Sequence, residues 1–568
     1  MVVPASKNWL TPARLLWLAA GIALFTLLCA LILWPAADLE AGEDFTWFFA
    51  HHEAPGALAA LAFLALGAVA LRPRAGARFA SLAERTAAAL SARPLPAAAT
   101  LAAALALGAV VVYQRYPVTM DEYAHVFQAR VFAAGHLTGR WPVDLLPWLL
   151  PPRIAQFFFS SGAHGEVISN YWPGMALLLT PFAAVGLEWL LNPLLAAGSL
   201  LLLGALARRL YPDDASASGW TMLLAAASPA FVIGGLAFYP MNAHLFATLL
   251  FAWLWIDGGR GRAFLAGVVG SLALVLHQLV PHLLMVAPWL AWTAIHRERR
   301  RLLLPLLAGY LPLGVPLAIA WPLCRQRIAA GGPLAVNPAR VPFSWPSLDL
   351  LWVRLLELLK LAAWSVPGLV VLAVCGWLAH RRTARGRARE LGALLGASAL
   401  CVLIGYLPLV YDQGHGWSYR HFHVVWGVLP LFAVALLVGA GTERARWAAV
   451  VGALALGSLL AGNGLRAAQV QRFLTDRRAE LPPLPAARPL VCFVDLRRHF
   501  YLDDQIRNDP FLRADVLLLG SRGAAEDAAL RGRRFAGSWA VPAARGLSCW
   551  QPLPAELTAL RAGSSAAR

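Results

Sequence analysis

Charge is what this sequence has least of. Asp, Glu, Lys and Arg make up 14% of its 568 residues, against roughly a quarter in soluble domains, and that scarcity excludes an ordinary water-soluble chain. Glycine-rich phosphate loops of the Walker or Rossmann type are missing, so no nucleotide site is expected. The six cysteines include no pair at zinc-ligand spacing. No internal repeat marks an inverted-repeat transporter. The first apolar run has no small-residue cleavage site, so it is expected to stay as a helix and not to be removed as a signal peptide.

What the chain has is apolar length: 59% hydrophobic residues and a mean hydropathy of +0.61. Runs of about twenty apolar residues recur, each long enough to cross roughly 30 Å of hydrocarbon. Read against their basic flanks they give about thirteen spans. These fall at 14–35, 55–71, 97–112, 191–207, 219–236, 241–256, 263–279, 281–295, 302–322, 362–378, 391–409, 422–440 and 447–461. The net charge of +18 suggests phosphate binding at first sight. The arginines, however, sit in short clusters between the runs: Arg72/Arg74/Arg78, Arg208/Arg209, Arg260/Arg262, 297–301, 381–389 and Arg444/Arg446. With Lys7 and Arg14 they share one side, which is cytoplasmic by the positive-inside rule; Asp38, Glu40, Glu43 and Asp44 fall on the other. Topology therefore accounts for the basicity, and no nucleic-acid partner is expected.

Residues 173–187 resist this alternation, because a full span there would invert every later cluster. They are read as a re-entrant or interface-lying helix opening at Pro173-Gly174. The expected fold class is an all-α polytopic membrane protein with a small α/β C-terminal domain outside the cytoplasm. Residues 1–96 carry the first helices, 97–462 a transmembrane core with its first outer loop at 113–172, and 463–568 the outer domain. Loops 324–345 and 411–420 share that outer face. In the tail, 490–494 and 516–519 read as strands, and Cys492 and Cys549 either pair, as an oxidising compartment favours, or stay free thiols. Cys29, Cys324, Cys375 and Cys401 lie in or beside apolar runs, where cysteine acts as a small hydrophobe.

The sharpest chemical feature is Asp121-Glu122, just beyond the third span. It opens a segment whose Ala124, Phe127, Val131 and Phe132 recur at helical spacing, as in an amphipathic helix on a membrane surface. Asp121 there is either a reactive carboxylate or a helix N-cap. The second feature is the loop Tyr411-Asp412-Gln413-Gly414-His415-Gly416-Trp417-Ser418-Tyr419-Arg420-His421. It holds more polar donors than a turn requires, with Arg420 either a bidentate phosphate ligand or an interfacial arginine snorkelling to headgroups. His277-Gln278 and His282 flank a hairpin between spans and either line a cavity or serve helix packing. Asn242 and His244 read more simply as a helix start, Asp213-Asp214 as a cap, and Asp503-Asp504 and Arg497-Arg498-His499 as solvated loop.

Met120-Asp121-Glu122-Tyr123, then an Ala-rich helix ending Gly135-His136-Leu137, resembles the first outer loop of GT-C glycosyltransferases, the multispanning enzymes that include protein O-mannosyltransferases and the lipid A aminoarabinose transferase. Tyr171-Trp172-Pro173-Gly174, Leu179-Thr180-Pro181-Phe182, Arg208-Arg209 and Ala227-Ser228-Pro229 follow in the family's order, so that the likeness spans about 97–461. It implies inverting transfer of a sugar from a polyprenyl-phosphate donor to a hydroxyl on a glycan, lipid or protein, at the outer face of a bacterial inner membrane. The resemblance puts Asp121 in the catalytic place, with Glu122 beside it binding acceptor or metal or tuning it. Arg420, His415, Tyr419, Tyr171, His277 and Gln278 are the expected donor and substrate ligands. No cofactor is certain; a divalent metal, if used, would sit on Asp121 and Glu122. The alternatives are a flippase or a ligase for lipid-linked saccharides.

Overall fold

Proline and glycine decide where the apolar runs become single helices and where they break. The structure, a computed structural model, describes residues 10–38, 44–330 and 343–565. The expectations resting on Lys7, Glu40 and Glu43, and the part of the outer loop at 331–342, lie outside the described residues. Among the described residues, seven helices are long and apolar enough to cross a membrane: Pro12–Ala36, Asp44–Val69, Pro94–Val111, Glu188–Leu210, Leu303–Ala330, Gly386–Tyr406 and Gly441–Glu480.

Fewer long helices form than the thirteen runs suggest, because several runs are interrupted. The run at 219–236 breaks at Ser228-Pro229 into Ala217–Ala226 and Pro229–Gly234, since proline removes a helical N–H and disfavours helix in the residue before it. The run at 362–378 breaks before Leu369–Thr383 at Gly368, whose φ of 82° suits glycine. Met241–Trp255, Leu279–Ile295 and Val428–Val438 are likewise short, the longest rising only about 25 Å at 1.5 Å per residue. The segment opening at Pro173-Gly174 forms the ten-residue helix Gly174–Ala183, too short to span.

The outer loop folds around the helix Met120–Ala133 and a small antiparallel sheet, β1 (Gly139–Arg140), β2 (Phe158–Ser160) and β3 (Glu166–Ser169), in the order β1-β3-β2. Met120–Ala133 is not the surface-lying helix its periodicity suggests. Met120, every residue from Glu122 to Ala129, and Val131 are buried, because Gly174–Ala183 and the C-terminal segment both pack on it.

The C-terminal unit is entered along a helix. The helix continues through a π-turn at Ser458–Gly462 to Glu480, and Arg466 is buried against Glu53 at 2.6 Å, with the Trp364 indole N–H also donating to Glu53 at 2.6 Å. The sheet then forms from β4 (Leu490–Val494), β5 (Val516–Gly520), β6 (Trp539–Val541) and β7 (Leu547–Gln551), in the order β5-β4-β7-β6. β4 and β5, parallel, are the two strands read from the sequence. β4 and β7 are antiparallel with Cys492 opposite Cys549, and the two are joined as a disulfide.

Denatured without reductant and treated with a maleimide, the chain is expected to take label at Cys29, Cys324, Cys375 and Cys401 and none at Cys492 or Cys549. Label on either of the last two before reduction would contradict the pairing.

Candidate active site

The helix Met120–Ala133 sets the first half of the site. Thr119 is its N-cap residue, so Asp121 lies inside the first turn and does not serve as the cap. Its carboxylate turns outward instead. Arg420 Nη1 donates to Asp121 Oδ2 at 2.8 Å, and the Tyr171 hydroxyl donates to Oδ1. Arg420 therefore faces the site and not the lipid headgroups. Its guanidinium also approaches the Tyr239 ring, 5.9 Å from the centroid.

Tyr171 and His277 are brought in by backbone hydrogen bonds from Trp172 and the start of the helix Gly174–Ala183 to the non-helical stretch at 275–277. Trp172 N–H donates to His277 O at 3.3 Å, Gly174 N–H to Val275 O at 2.7 Å, and Met175 N–H to Leu276 O at 3.0 Å. Gly174 is needed here, since a Cβ at that position would lie 2.5 Å from Val275 O. The close approach puts the Tyr171 ring 4.3 Å from that of His277 and 4.9 Å from that of His125, while His125 Nε2 and His277 Nδ1 are 3.1 Å apart.

These groups border a cavity of about 960 Å³ lined by Asp121, Tyr171, His277, Gln278, His415 and Arg420. Six of the eight residues singled out in the sequence thus meet at one place. The other two do not reach it. Glu122 is sealed beneath the helix, accepting from the Tyr113 hydroxyl at 2.9 Å, Phe238 N–H at 3.0 Å and Val118 N–H. Tyr113 in turn accepts from the Trp417 indole at 3.0 Å, so Glu122 ties the helix Met120–Ala133 to the loop that carries Arg420. Tyr419 is buried, with its hydroxyl on Glu357. No group of three or more His, Cys, Asp or Glu side chains arranged to hold a metal occurs among the described residues, and the oxygens of Asp121 and Glu122 are engaged by different partners.

The cavity's other wall was not legible. Asp503 and Asp504, read as solvated loop, are buried and line it with Tyr501. Asp504 Oδ1 accepts Met120 N–H at 2.5 Å, Arg507 donates to Val118 O at 3.1 Å, and Tyr123 donates to Asn508 O at 3.0 Å. The C-terminal unit therefore clamps the start of the helix Met120–Ala133, across more than 380 residues of chain. Arg153 lies 3.8 Å from Asp503. His282 bonds the Tyr310 hydroxyl at 2.7 Å and Asn242 the Asn192 carbonyl at 2.9 Å, both packing roles. Asp214 caps Ser216 and pairs with Arg444.

Burial raises the Asp121 carboxyl, but Arg420, His277 and the Tyr171 hydroxyl outweigh it and hold it at about 2. Burial, and then Asp121, push Tyr171 upward, so it keeps the proton it donates. Burial lowers His125 to about 4 and lowers His277, leaving both rings neutral near pH 7. Burial lifts Glu122 to about 7 despite its three donors.

No protein-family model matches the chain, and no curated protein matches it. Among solved structures, the chain is similar to ArnT from Cupriavidus metallidurans bound to undecaprenyl phosphate, at 13% identity and a TM-score of 0.50, over 81% of this chain and 98% of that one. The apo state of the same protein covers the same shares at 13% identity and a TM-score of 0.47. ArnT is the lipid A aminoarabinose transferase, a GT-C enzyme. This chain has the GT-C fold. The resemblance read from the loop motifs is thus met at the level of the fold.

A carboxyl depressed in the folded state contributes stability above its unfolded value of 3.8 and loses it as pH falls toward about 2. The gap in unfolding temperature between wild type and Asp121→Asn is therefore expected to stay constant from neutrality to about pH 5 and to close between about pH 4 and about pH 2. A gap that persists undiminished at the acid end would contradict the ion pair.

Proposed function

We propose that this membrane protein is a glycosyltransferase that moves a sugar from a polyprenyl-phosphate donor to an acceptor hydroxyl, with inversion at the anomeric carbon. The observation that carries this reading is the Asp121–Arg420 ion pair at 2.8 Å, with both side chains lining the cavity. The GT-C fold supports it, as does the undecaprenyl phosphate bound by the ArnT structure. We place the cavity and the C-terminal unit at the periplasmic face of a bacterial inner membrane, with the N-terminus in the cytoplasm.

In this mechanism the resting pair is a lock. Asp121 held at about 2 is a weak base, and its oxygens are taken by Arg420 and Tyr171. The donor's phosphate offers Arg420 a better partner, since guanidinium matches phosphate in a bidentate fork. As Arg420 turns to it, Asp121 loses its nearest cation and its basicity rises. The acceptor oxygen then attacks the anomeric carbon and its proton passes to Asp121. The bond from that carbon to the phosphate oxygen breaks, and polyprenyl phosphate departs with its charge held by Arg420. His277 and His415, neutral by burial, supply hydrogen-bonding groups along the cavity. The acceptor is a glycan, lipid or protein hydroxyl.

A flippase would be expected to carry its polar groups along a route through the bundle. Here they gather at one end, between the outer loop and the C-terminal unit. A ligase of lipid-linked glycans would draw its functional groups from one large late loop, whereas Asp121 lies in the first.

Purified Asp121→Asn, given a polyprenyl-phosphate sugar, is expected to release polyprenyl phosphate about 10²- to 10⁴-fold more slowly than wild type, while remaining monodisperse and folded. Release at the wild-type rate would contradict the reading.

A further inference from the structure

The helix Leu348–Ala363 is built inside out. Ser347 caps it, its hydroxyl accepting Leu350 N–H at 3.2 Å. Arg354, Glu357 and Lys360 then recur every third residue and so share one face. That charged face is buried, Glu357 being 0% exposed, whereas Leu348 is 85% exposed and Leu351, Trp352, Leu355 and Leu358 also face outward. In a membrane protein an apolar outer face suits hydrocarbon, so the three charges cannot turn to water. They must be satisfied by what packs against the inner face.

What packs there is the loop that carries Arg420. Arg354 donates to Leu409 O at 2.6 Å and Tyr411 O at 2.7 Å, and pairs with Glu357. Glu357 accepts Gln413 N–H at 3.1 Å, and Lys360 donates to Gly416 O at 2.7 Å. Gln413, fully buried, hands the constraint onward. Its side-chain oxygen accepts Arg420 N–H at 3.1 Å, and its amide donates to Ser418 O at 2.7 Å. Ser418 has φ of 59°, a left-handed conformation that a serine holds only where its surroundings fix it. Leu409, Tyr411, Gln413, Gly416, Ser418 and Arg420 thus each have a backbone group fastened, directly or through Gln413, to one face of one helix.

We infer that Glu357 is a positioning residue for Arg420, acting through Gln413, and that the helix Leu348–Ala363 is the strut that aims this arginine at the donor phosphate. The inference rests on the proposed reading of Arg420 as the phosphate ligand. Glu357 touches no substrate; its effect on donor binding passes through the arginine.

The test is a double-mutant cycle on the full chain in nanodiscs, with undecaprenyl phosphate as the probe. Glu357→Gln is expected to weaken its binding about tenfold or more, and Glu357→Asp to recover part of the loss. In an Arg420→Ala background, Glu357→Gln is expected to cost no more than about twofold further, because residues that act as one unit are not additive. Losses that multiply independently would overturn the inference and leave the donor reading standing. If Arg420→Ala alone leaves binding unchanged, the donor reading itself fails and the inference falls with it. Should Glu357→Gln not yield folded protein, Gln413→Ala enters the same cycle and must show the same dependence on Arg420.

Discussion

The Asp121–Arg420 ion pair is the contact on which the rest of the site depends. An ion pair partly withdrawn from water gains little unless its remaining hydrogen-bonding capacity is met. Here the Tyr171 hydroxyl and the His415 carbonyl meet part of it, and four parts of the chain hold the pair in place. Tyr171 completes Asp121 from the end of the outer loop. His277 lies beside it on a hairpin tied to Trp172 and Gly174. Gln413 holds the Arg420 backbone, and Asp504 holds the first residue of the helix that carries Asp121. Removing any one loosens the geometry of the pair without touching either charge.

This arrangement explains why the C-terminal unit is tied so closely to the transmembrane core. The continuous helix from Gly441 to Glu480, the buried Arg466–Glu53 pair and the clamp formed by Asp504, Arg507 and Asn508 make it one wall of the cavity. Glu122 plays the matching part underneath. With three donors on its carboxylate, and Tyr113 passing the link to Trp417, it joins the helix Met120–Ala133 to the arginine loop. Two adjacent acids thus take different work, one facing the cavity and the other holding the frame.

Much of this was legible in the chain, and the exceptions share a cause. Asp121, His277, Gln278, His415 and Arg420 stood out because polar groups are rare at the ends of apolar runs, Tyr171 through the family resemblance, and all six line one cavity. The strands read at 490–494 and 516–519 followed from β-rich runs, and of the two readings open for Cys492 and Cys549 the paired one is observed. Asp503 and Asp504 did not stand out, because only a contact across the whole chain removes them from water. The helix Leu348–Ala363 escaped for a different reason. A hydropathy window reads its Arg354, Glu357 and Lys360 as interruptions, although in lipid the charged face is the one that turns inward. Composition alone also left whole the runs that Pro229 and Gly368 break.

The central claim is that donor phosphate and Asp121 compete for Arg420. It is tested most directly by an experimental structure of the full chain with undecaprenyl phosphate bound. The account predicts the phosphate on Arg420, with the Asp121 carboxylate released from the arginine and facing the place of the sugar. A phosphate bound elsewhere in the cavity, with the Asp121–Arg420 contact still at 2.8 Å, would contradict it.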